Sequence, residues 1–398
     1  MAAPLDVITP ITIANYSKQY WYNVAENTPI CRMLMEKGNI NRDQHGTSVV
    51  WPLEAGRHDV YTVSDYQDVT SLYTPRKRYA QASIAWGEVA SFRGISKGEL
   101  RQNGGTQALV QFGKKEIPAM FRDLCVGSNL QNGVTQGGVF WQFFNMNALS
   151  YSGGGNPLYG LPSVFTGNTA ITWSSNTILG TINNTNYAGL TCVSGGLSTT
   201  VDEAEADAWT PTAINTTATV YNTSATASFF TNFFEIMSNI ISYGNRFSAT
   251  DNSMMIDGIF MTRAMYIAGQ TQIAAKQSFL LTGKVGKGAT YGIGSDPQTG
   301  LTHNGVPLFW DFLIPANTAY GLNFSQIFMD LLPMFTVSGD STSQINTGGP
   351  VPEDLTDPGM FETEVKYNDG RRAVTVSATF PGQIRINPRY QVMAFAGA

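Results

Sequence analysis

The sequence predicts an α+β fold with at least two lobes, and three observations lead to that prediction. Only 13% of the 398 residues are charged, whereas 40 are glycine, a composition that favours a chain rich in strands and loops over a helical bundle. Apolar residues recur with helical spacing in four separate stretches, and stretches typical of strands lie between them. A chain of this length also exceeds the usual size of one compact domain.

The first hundred residues predict two arms. Residues 16–37 have helical apolar spacing that is interrupted at Pro29, which predicts an N-terminal arm over residues 1–46. The stretches GTSVVWPLEAG and RYAQASIAWGEVASFRG are β-rich, and the polar stretch between them has too few core residues to fold alone. We therefore expect a long two-stranded arm over residues 47–96. An isolated hairpin is marginal in water, so this arm is expected to pack on a neighbouring subunit.

A helix is predicted between residues 97 and 127. Ser96 and Glu99 have the spacing of a capping box, and the helix is expected to stop near Gly127. The residues that form its apolar stripe are Leu109, Phe112, Ile117, Phe121 and Leu124. Gly104, Gly105 and Pro118 are expected to break or kink it. Beyond it, residues 176–226 are rich in Ser, Thr and Asn and predict a polar surface insertion.

The second half of the chain predicts helices that flank a buried strand and then a run of strands. Residues 229–243 and 261–281 are amphipathic, and the apolar run SMMIDGIFM lies between them. Residues 305–333 predict two strands, or one strand and a short helix. Near the end of the chain, a turn at Pro381 and Gly382 is predicted to join two alternating strands into a hairpin.

Charge and cysteine content argue against several classes of function. The net charge of -5 gives no overall attraction to phosphate, so a globally basic nucleic-acid surface is not expected. Cys31, Cys125 and Cys192 form no CxxC pair, which favours buried free thiols over a disulfide framework or a zinc site. The N-terminus has no signal-peptide pattern and no apolar run reaches membrane-spanning length, so we expect a soluble chain made in a reducing cytoplasm. No cofactor, metal or membrane contact is expected.

Three stretches, in their order and spacing, resemble a known family. They are NPLYGLPSVFTGN at residues 156–168, LGTINNTNYAGLT at 179–191 and NGVPLFWDFLIPANTAYGLNFSQIFM at 304–329. With the order of the predicted elements, they make the chain similar to the major capsid protein of tailed bacteriophages, which has the Hong Kong 97 type fold that encapsulins share. The resemblance covers most of the chain.

The resemblance implies a division of the chain into domains. It implies an N-terminal arm at 1–46, an extended β-hairpin loop at 47–96 that also begins the peripheral domain, and a peripheral domain with a long spine helix at 97–157. An axial domain, a mixed sheet flanked by helices, would occupy 158–332 with the polar insertion near 176–226, and 333–398 would return to the peripheral domain. No Lys, Asn and Glu triad for covalent crosslinking between subunits is identified, and no leader coiled coil is evident.

The function that the resemblance implies is structural. Copies would assemble as pentamers and hexamers into an icosahedral shell in the host cell cytoplasm and become part of the virion. Scaffolding, portal and decoration proteins are possible partners, and packaged double-stranded DNA would be contacted weakly. An encapsulin-like compartment is one alternative, and a β-rich tail or adhesin protein, which would more naturally show repeats, is another.

Two buried-looking aspartates are the strongest candidates for catalysis, and a structural role is favoured for both. Asp311 and Asp330 stand among apolar residues, and no histidine lies close to either in sequence. The three histidines, at positions 45, 58 and 303, form no HExxH or HxH ligand pattern. Asp311 is expected to accept backbone hydrogen bonds at a turn that contains Pro315 and Asn317. No nucleophile motif is present, so the chain is not expected to be an enzyme.

Charged residues predict an assembly interface. The run of Arg76, Lys77 and Arg78 lies on the predicted arm, as Arg57 does, and is expected to pair with the acidic patch of a neighbouring copy. The patch extends from Asp202 to Asp207 and includes Glu203 and Glu205. Contact of the basic run with nucleic acid by charge and stacking is the alternative. Lys284 and Lys287 belong to a glycine-rich loop that departs from the phosphate-loop pattern and is expected to face neighbouring copies.

Overall fold

A computed structural model describes a large part of the chain. The described residues are 30, 33–34, 37, 39–41, 46–54, 62, 79–96, 98, 117–131, 134–165, 171–172, 179–182, 187–189, 211–215, 232–245, 255–277, 301–332, 362–368 and 373–395. They form two compact units. The first unit takes its described residues from Met1–Thr47, Ala85–Gly160 and Phe328–Arg385, and the second takes them from Ser48–Ile84, Leu161–Ile327 and Ile386–Ala398.

The first unit is built on one mixed sheet. Its strands are β1 (Ile40–Asn41), β4 (Gly87–Ser96), β14 (Ile327–Leu331), β15 (Glu362–Asn368) and β16 (Ala373–Ile386). They hydrogen-bond in the order β1-β14-β16-β15, and β4 also pairs with β16. β1 is parallel to β14, whereas β15 and β4 are antiparallel to β16. Along β16, Val376, Ala378 and Phe380 are buried while the residues between them are half-buried, as expected for a sheet with one covered face.

Two helices and a small hairpin complete the described part of the first unit. Helix α1 (Ile117–Val126) packs against β4 and buries Met120, Phe121 and Leu124. The hairpin of β5 (Ser128–Gln131) and β6 (Val134–Gly137) leads into α2 (Val139–Asn145). The helix predicted over residues 97–127 therefore ends where expected, whereas most of its first twenty residues lie outside the described residues.

The predicted turn at Pro381 and Gly382 is wrong. β16 runs through both residues as one strand of 14 residues, and the antiparallel register with β4 continues to the pairs Pro381–Glu88 and Gly382–Gly87. The carbonyl of Pro381 also accepts a hydrogen bond of 2.9 Å from the amide of Leu332. A turn would break this pairing, so partners distant in sequence override the local Pro-Gly preference. Gly382 is needed here for close approach, since a Cβ atom would lie 2.7 Å from the carbonyl oxygen of Asp330.

The second unit is built on an eight-stranded sheet. The strands are β7 (Ile171–Thr172), β8 (Leu179–Ile182), β9 (Thr212–Asn215), β10 (Gly258–Met261), β11 (Leu301–His303), β12 (Val306–Trp310), β13 (Thr318–Leu322) and β17 (Val392–Phe395). Their order is β11-β12-β10-β13-β17-β9-β8-β7. β10 is parallel to β12 and antiparallel to β13. The separate pair of β2 (Ser48–Glu54) and β3 (Tyr79–Ala85) belongs to the predicted two-stranded arm.

Helices pack on the sheet of the second unit around an apolar core. The helices are α3 (Leu161–Phe165), α4 (Phe233–Gly244) and α5 (Arg263–Gln277). The buried residues of this core include Ile214, Phe233, Ile236, Met237, Ile240, Ile259, Met265, Leu308, Ala319 and Val392. Gly321 lets α4 approach β13, since a Cβ atom there would lie 2.4 Å from the Ile240 side chain.

Most of the predicted elements in the second half of the chain are confirmed, with shifted limits. The helix predicted over 229–243 is α4, the one predicted over 261–281 is α5, and β10 forms the buried strand between them. Residues 305–333 contain three strands instead of two, because β14 follows a short 3-10 helix at Phe324–Gln326.

At the C-terminus the structure differs from the predicted domain limits, and at the N-terminus it describes only part of the predicted arm. The C-terminal strand β17 pairs with β13 and β9 in the second unit, whereas residues 333–398 were expected to return to the peripheral domain. At the N-terminus, Ile30, Met33 and Leu34 are helical, and the rest of 16–37 lies mostly outside the described residues, as does the predicted insertion at 176–226. The other predicted domain limits stay predictions.

The continuity of β16 predicts different effects on stability for substitutions at two glycines of the first unit. Gly382→Ala should lower the free energy of unfolding by about 1–3 kcal/mol, because the new Cβ meets the backbone of β14. Gly154→Ala is the matched control, since a Cβ there meets nothing within 4 Å, and it should change stability by about 0.5 kcal/mol or less. Urea denaturation followed by tryptophan fluorescence measures both. Equal stabilities of the two variants would contradict the close packing of β16 against β14.

Candidate functional site

Several chain segments of the second unit meet where β10 and β12 end. The two strands are parallel with Met261 opposite Trp310, so their carboxyl ends lie together. Helix α5 begins there at Arg263, and β13 begins there because Met261 also lies opposite Ala319. We call Thr262, Arg263 and residues 310–318 the strand-end edge. It contains the three residues of the predicted structural turn.

Asp311 organises the turn that follows β12. Its side chain is 5% exposed, and its Oδ1 accepts a hydrogen bond of 2.9 Å from the amide of Leu313. Its own amide donates to the carbonyl of Met261 at 3.2 Å. Burial raises the pKa of the Asp311 carboxyl above its ordinary value, and backbone hydrogen bonds from Leu313 and Phe312 oppose that shift. The carboxylate is therefore hydrogen-bonded to backbone amides. Among the described residues, no side chain that could act with it as an acid, base or nucleophile contacts it.

The turn presents an aromatic ring to solvent. Phe312 is 73% exposed, whereas Leu313 and Ile314, the next two residues, are buried. Asn317, before β13, has a φ of 56°, a backbone conformation that asparagine adopts more readily than most residues. Thr318 Oγ1 donates a hydrogen bond to the carbonyl of Ala316 at 3.2 Å. The exposure of Phe312 therefore follows from a turn that hydrogen bonds hold on both sides.

A cation and a second apolar side chain lie on α5 beside this turn. Arg263 is exposed, and its Cζ lies 5.7 Å from the centroid of the Trp310 ring, within range of a cation–π contact. Ile267 is 47% exposed and follows Arg263 by one helical turn, so the two share a face of α5. The edge and the first two turns of α5 thus present an aromatic ring, an aliphatic side chain and one positive charge, a combination typical of protein contact surfaces.

Asp330, the other candidate carboxylate, forms a buried ion pair in the first unit. Its Oδ2 lies 3.1 Å from Arg385 Nε, and its Oδ1 accepts a hydrogen bond of 3.3 Å from Asn41 Nδ2. The Asp330 side chain is fully buried, and Arg385 also lies 4.1 Å over the Phe328 ring. Burial raises the pKa of the Asp330 carboxyl, and the Arg385 charge together with hydrogen bonds from Asn41 and Arg385 opposes the shift. The pair joins β1, β14 and β16.

Gln383 joins further segments of the first unit. Its Nε2 donates to the carbonyls of Ala85 at 2.9 Å and Pro157 at 3.4 Å. Its Oε1 accepts from the amides of Tyr159 at 2.8 Å and Ile384 at 3.0 Å. Each half of this fully buried amide therefore has two partners. Its role is structural, because it satisfies backbone groups that would otherwise be buried without partners.

The remaining chemically active side chains form no recognisable reaction centre among the described residues. His303 is buried with its Nε2 2.8 Å from Ser238 Oγ, and it packs against Phe234. Cys125 is a buried free thiol whose pKa is raised by burial, as expected of a structural cysteine. Within the described ranges no cluster of three His, Cys, Asp or Glu residues could hold a metal ion. Over the same ranges no helix is long and apolar enough to cross a membrane.

The predicted interface residues lie outside the described residues. This applies to Arg57, Arg76, Lys77, Arg78, Asp202, Glu203, Glu205, Lys284 and Lys287, whose roles stay predictions. Asp311, Pro315 and Asn317 are brought together at the strand-end edge. Local sequence patterns give no signal for Arg263, Ile267 or Phe312, because apolar periodicity does not reveal which side chains beside a strand end are exposed. They give none for Arg385 either, because it lies 55 residues from its partner Asp330.

Comparisons with known proteins identify the fold. No protein-family model matches the chain, and no curated protein matches it by sequence. A chain in the capsid asymmetric unit of cyanophage A-1(L) is similar in structure, with a TM-score of 0.51 and 11% sequence identity over 92% of both chains. The chain has a phage capsid fold. The predicted resemblance to the Hong Kong 97 type is thereby confirmed for the fold.

Two further solved structures are similar at lower scores. A chain of the capsid of the empty GTA particle gives a TM-score of 0.41 and 10% identity over 92% of this chain and 96% of that one. A chain of the capsid of the Myoviridae phage XM1 gives a TM-score of 0.40 and 9% identity over 91% of both chains.

The burial of Asp311 predicts how its charge affects stability at different pH values. Because its pKa is raised on folding, the ionised carboxylate destabilises the fold, and its contribution to stability falls as the pH rises above about 4. Asp311→Asn keeps an acceptor without the charge, so it should equal or exceed the wild type in stability at neutral pH and lose that advantage as the pH is lowered. Asp311→Ala should be about 1–3 kcal/mol less stable than Asp311→Asn because it removes the acceptor. Urea denaturation across this pH range tests both, and equal stability of the two variants would contradict the hydrogen-bonding role.

The ion pair of Asp330 makes a second prediction about pH. Arg385→Met keeps an unbranched apolar side chain but leaves the buried carboxylate without its cation, which should cost about 3–5 kcal/mol at neutral pH. The loss should shrink as the pH falls and Asp330 takes up a proton. Combining Arg385→Met with Asp330→Asn should recover most of the stability at neutral pH, because the acceptor for Asn41 remains. A loss that is the same at pH 7 and near pH 4 would exclude charge burial as its cause.

Proposed function

We propose that the chain is a major capsid protein, whose copies assemble into the icosahedral shell that encloses the double-stranded DNA genome of a tailed bacteriophage. The observation that carries this proposal is the shared fold with a capsid chain over 92% of both chains. Fold and function do not correspond one to one, so the proposal also rests on the composition and surface of this chain.

Composition supports assembly through many weak contacts. With 13% charged residues, much of the polar surface is uncharged, and covering it leaves few charges without water or a partner. Contacts between different patches on identical copies close into rings when the rotation between copies allows it. Several modest contacts on each copy then add to a stable shell, because each further contact within the assembly is effectively intramolecular.

The proposed mechanism needs no active site. The net charge of -5 suits a shell that touches packaged DNA weakly, since a lining that gripped phosphate would hinder entry and exit of the genome. Pentamers and hexamers are the expected building blocks, with scaffolding, portal and decoration proteins as partners in the host cytoplasm and the virion as the final location. The charged residues predicted from the sequence to join copies, among them Arg76 and Glu203, belong to this proposal.

Assembly of the purified chain tests the proposal. We expect closed shells, or separate pentamers and hexamers, by size-exclusion chromatography and negative-stain electron microscopy of the chain expressed alone. A chain that stays monomeric, also when co-expressed with candidate scaffolding proteins, would contradict the proposal and move attention to an adhesin role, for which glycan arrays are the direct assay.

The contents of native particles separate the two shell functions. Double-stranded DNA inside particles purified from their natural source would support a viral capsid. A packaged enzyme in place of DNA would instead indicate an encapsulin-like compartment, which shares the fold and differs in cargo. Nuclease treatment before extraction is the control that removes DNA bound outside the particles.

A further inference from the structure

The second unit carries two exposed charges of opposite sign that have no ionic partner among the described residues. Arg263 at the start of α5 contacts the Trp310 ring and no described carboxylate. Glu235 in the first turn of α4 is exposed and contacts no described cation. Exposed charges without partners are common, so their positions decide what they mean.

The two charges lie at opposite ends of the same strands. Arg263 belongs to the strand-end edge, beside the last residue of β12, Trp310. The start of α4 lies at the other end, because Phe234 and Ser238 both contact His303, and His303 is paired with Val306, the first residue of β12. The four residue steps from Val306 to Trp310 span about 13 Å. The geometry therefore separates Glu235 from Arg263 within one copy.

Two exposed apolar side chains accompany Arg263 at this end of the strands. Phe312 and Ile267 are two of the four most exposed large apolar side chains among the described residues, and Phe312 is held outward by the Asp311 turn. We call Arg263, Ile267 and Phe312 the basic aromatic patch. Arg263 lies over the Trp310 ring, and Phe312 follows Trp310 by two residues in the turn after β12. Aromatic and arginine side chains are the types that most often contribute the binding energy of an interface.

We propose that the basic aromatic patch of one copy contacts the start of α4 in the next copy, with Arg263 paired to Glu235. The proposal rests on the proposed function and specifies one contact within it. Its occupant is a second copy because the chain itself supplies the complementary charge at the other end of β12, about 13 Å away along the strand. A contact between two different patches is heterologous, so it is repeated head to tail, and it closes into a ring when the rotation between copies allows it. The pairing fixes the direction of the ring as well as its register.

Charge reversal tests the pairing. Arg263→Glu or Glu235→Arg alone should place like charges together and raise the protein concentration needed for ring formation by about tenfold or more. The double variant restores opposite charges and should assemble as the wild type does. Phe312→Ser should also raise that concentration about tenfold, because it removes the aromatic anchor. All three side chains are exposed, so circular dichroism and melting temperature should stay close to those of the wild type.

Mixing variants tests the head-to-tail direction. Equal amounts of the two single variants should assemble, because the acidic patch of the R263E variant meets the basic start of α4 in the E235R variant. In the next contact of the ring, the unchanged Arg263 of one variant meets the unchanged Glu235 of the other. Strict alternation fits only rings with an even number of copies, so native mass spectrometry should find hexamers of three plus three copies and no pentamers. The double variant and the wild type should not mix, since like charges would meet at each junction between them.

The outcomes separate this contact from the proposed function. A wild-type chain that never assembles contradicts both. A wild-type chain that assembles, with single reversals that assemble at the same concentration, contradicts this contact alone. Loss of assembly in the single variants without recovery in the folded double variant also overturns the pairing of Arg263 with Glu235.

Discussion

The fold depends on buried neutral side chains that join segments far apart in sequence. In the first unit, Gln383 binds the backbone of four residues from three segments. In the second, Gln391 pairs with the backbone of Asn323 through both halves of its amide, at 2.9 Å to the amide nitrogen and 3.2 Å to the carbonyl oxygen. A buried backbone group without a partner costs more than one net hydrogen bond contributes, so each amide fixes where its segments lie.

The low proportion of charged residues also affects the surface of the chain. Amides and hydroxyls replace charged groups at internal junctions, and the one buried ion pair described above, Asp330 with Arg385, lies between neighbouring strands of one sheet. A surface that is mostly neutral is inexpensive to cover, and exposed rings such as Phe92 and Phe312 supply apolar area for contact. A few charges then suffice to select among possible contacts, because each stands out against a neutral surface.

Fold conservation and sequence divergence have a common physical basis here. The chain shares its fold with a phage capsid chain at 11% identity. A sheet with packed helices requires apolar side chains at the right period and a partner for each buried polar group, and many sequences meet these requirements. Under the proposed function, contact between copies would depend instead on particular surface residues. The proposed contacts between copies would therefore be determined by the surface of this chain rather than by its core.

Local periodicity in the sequence was enough to predict the α+β class, helices α4 and α5 and the buried strand between them. Contacts between distant segments determine the other features. Pro381 and Gly382 lie within a strand because β4 and β14 pair with that segment, and β17 joins the second unit because β13 and β9 receive it. Asp330 meets Arg385 through a contact between residues 55 positions apart. Local patterns carry no information about such partners, because pairing energy is realised only when the segments meet in space.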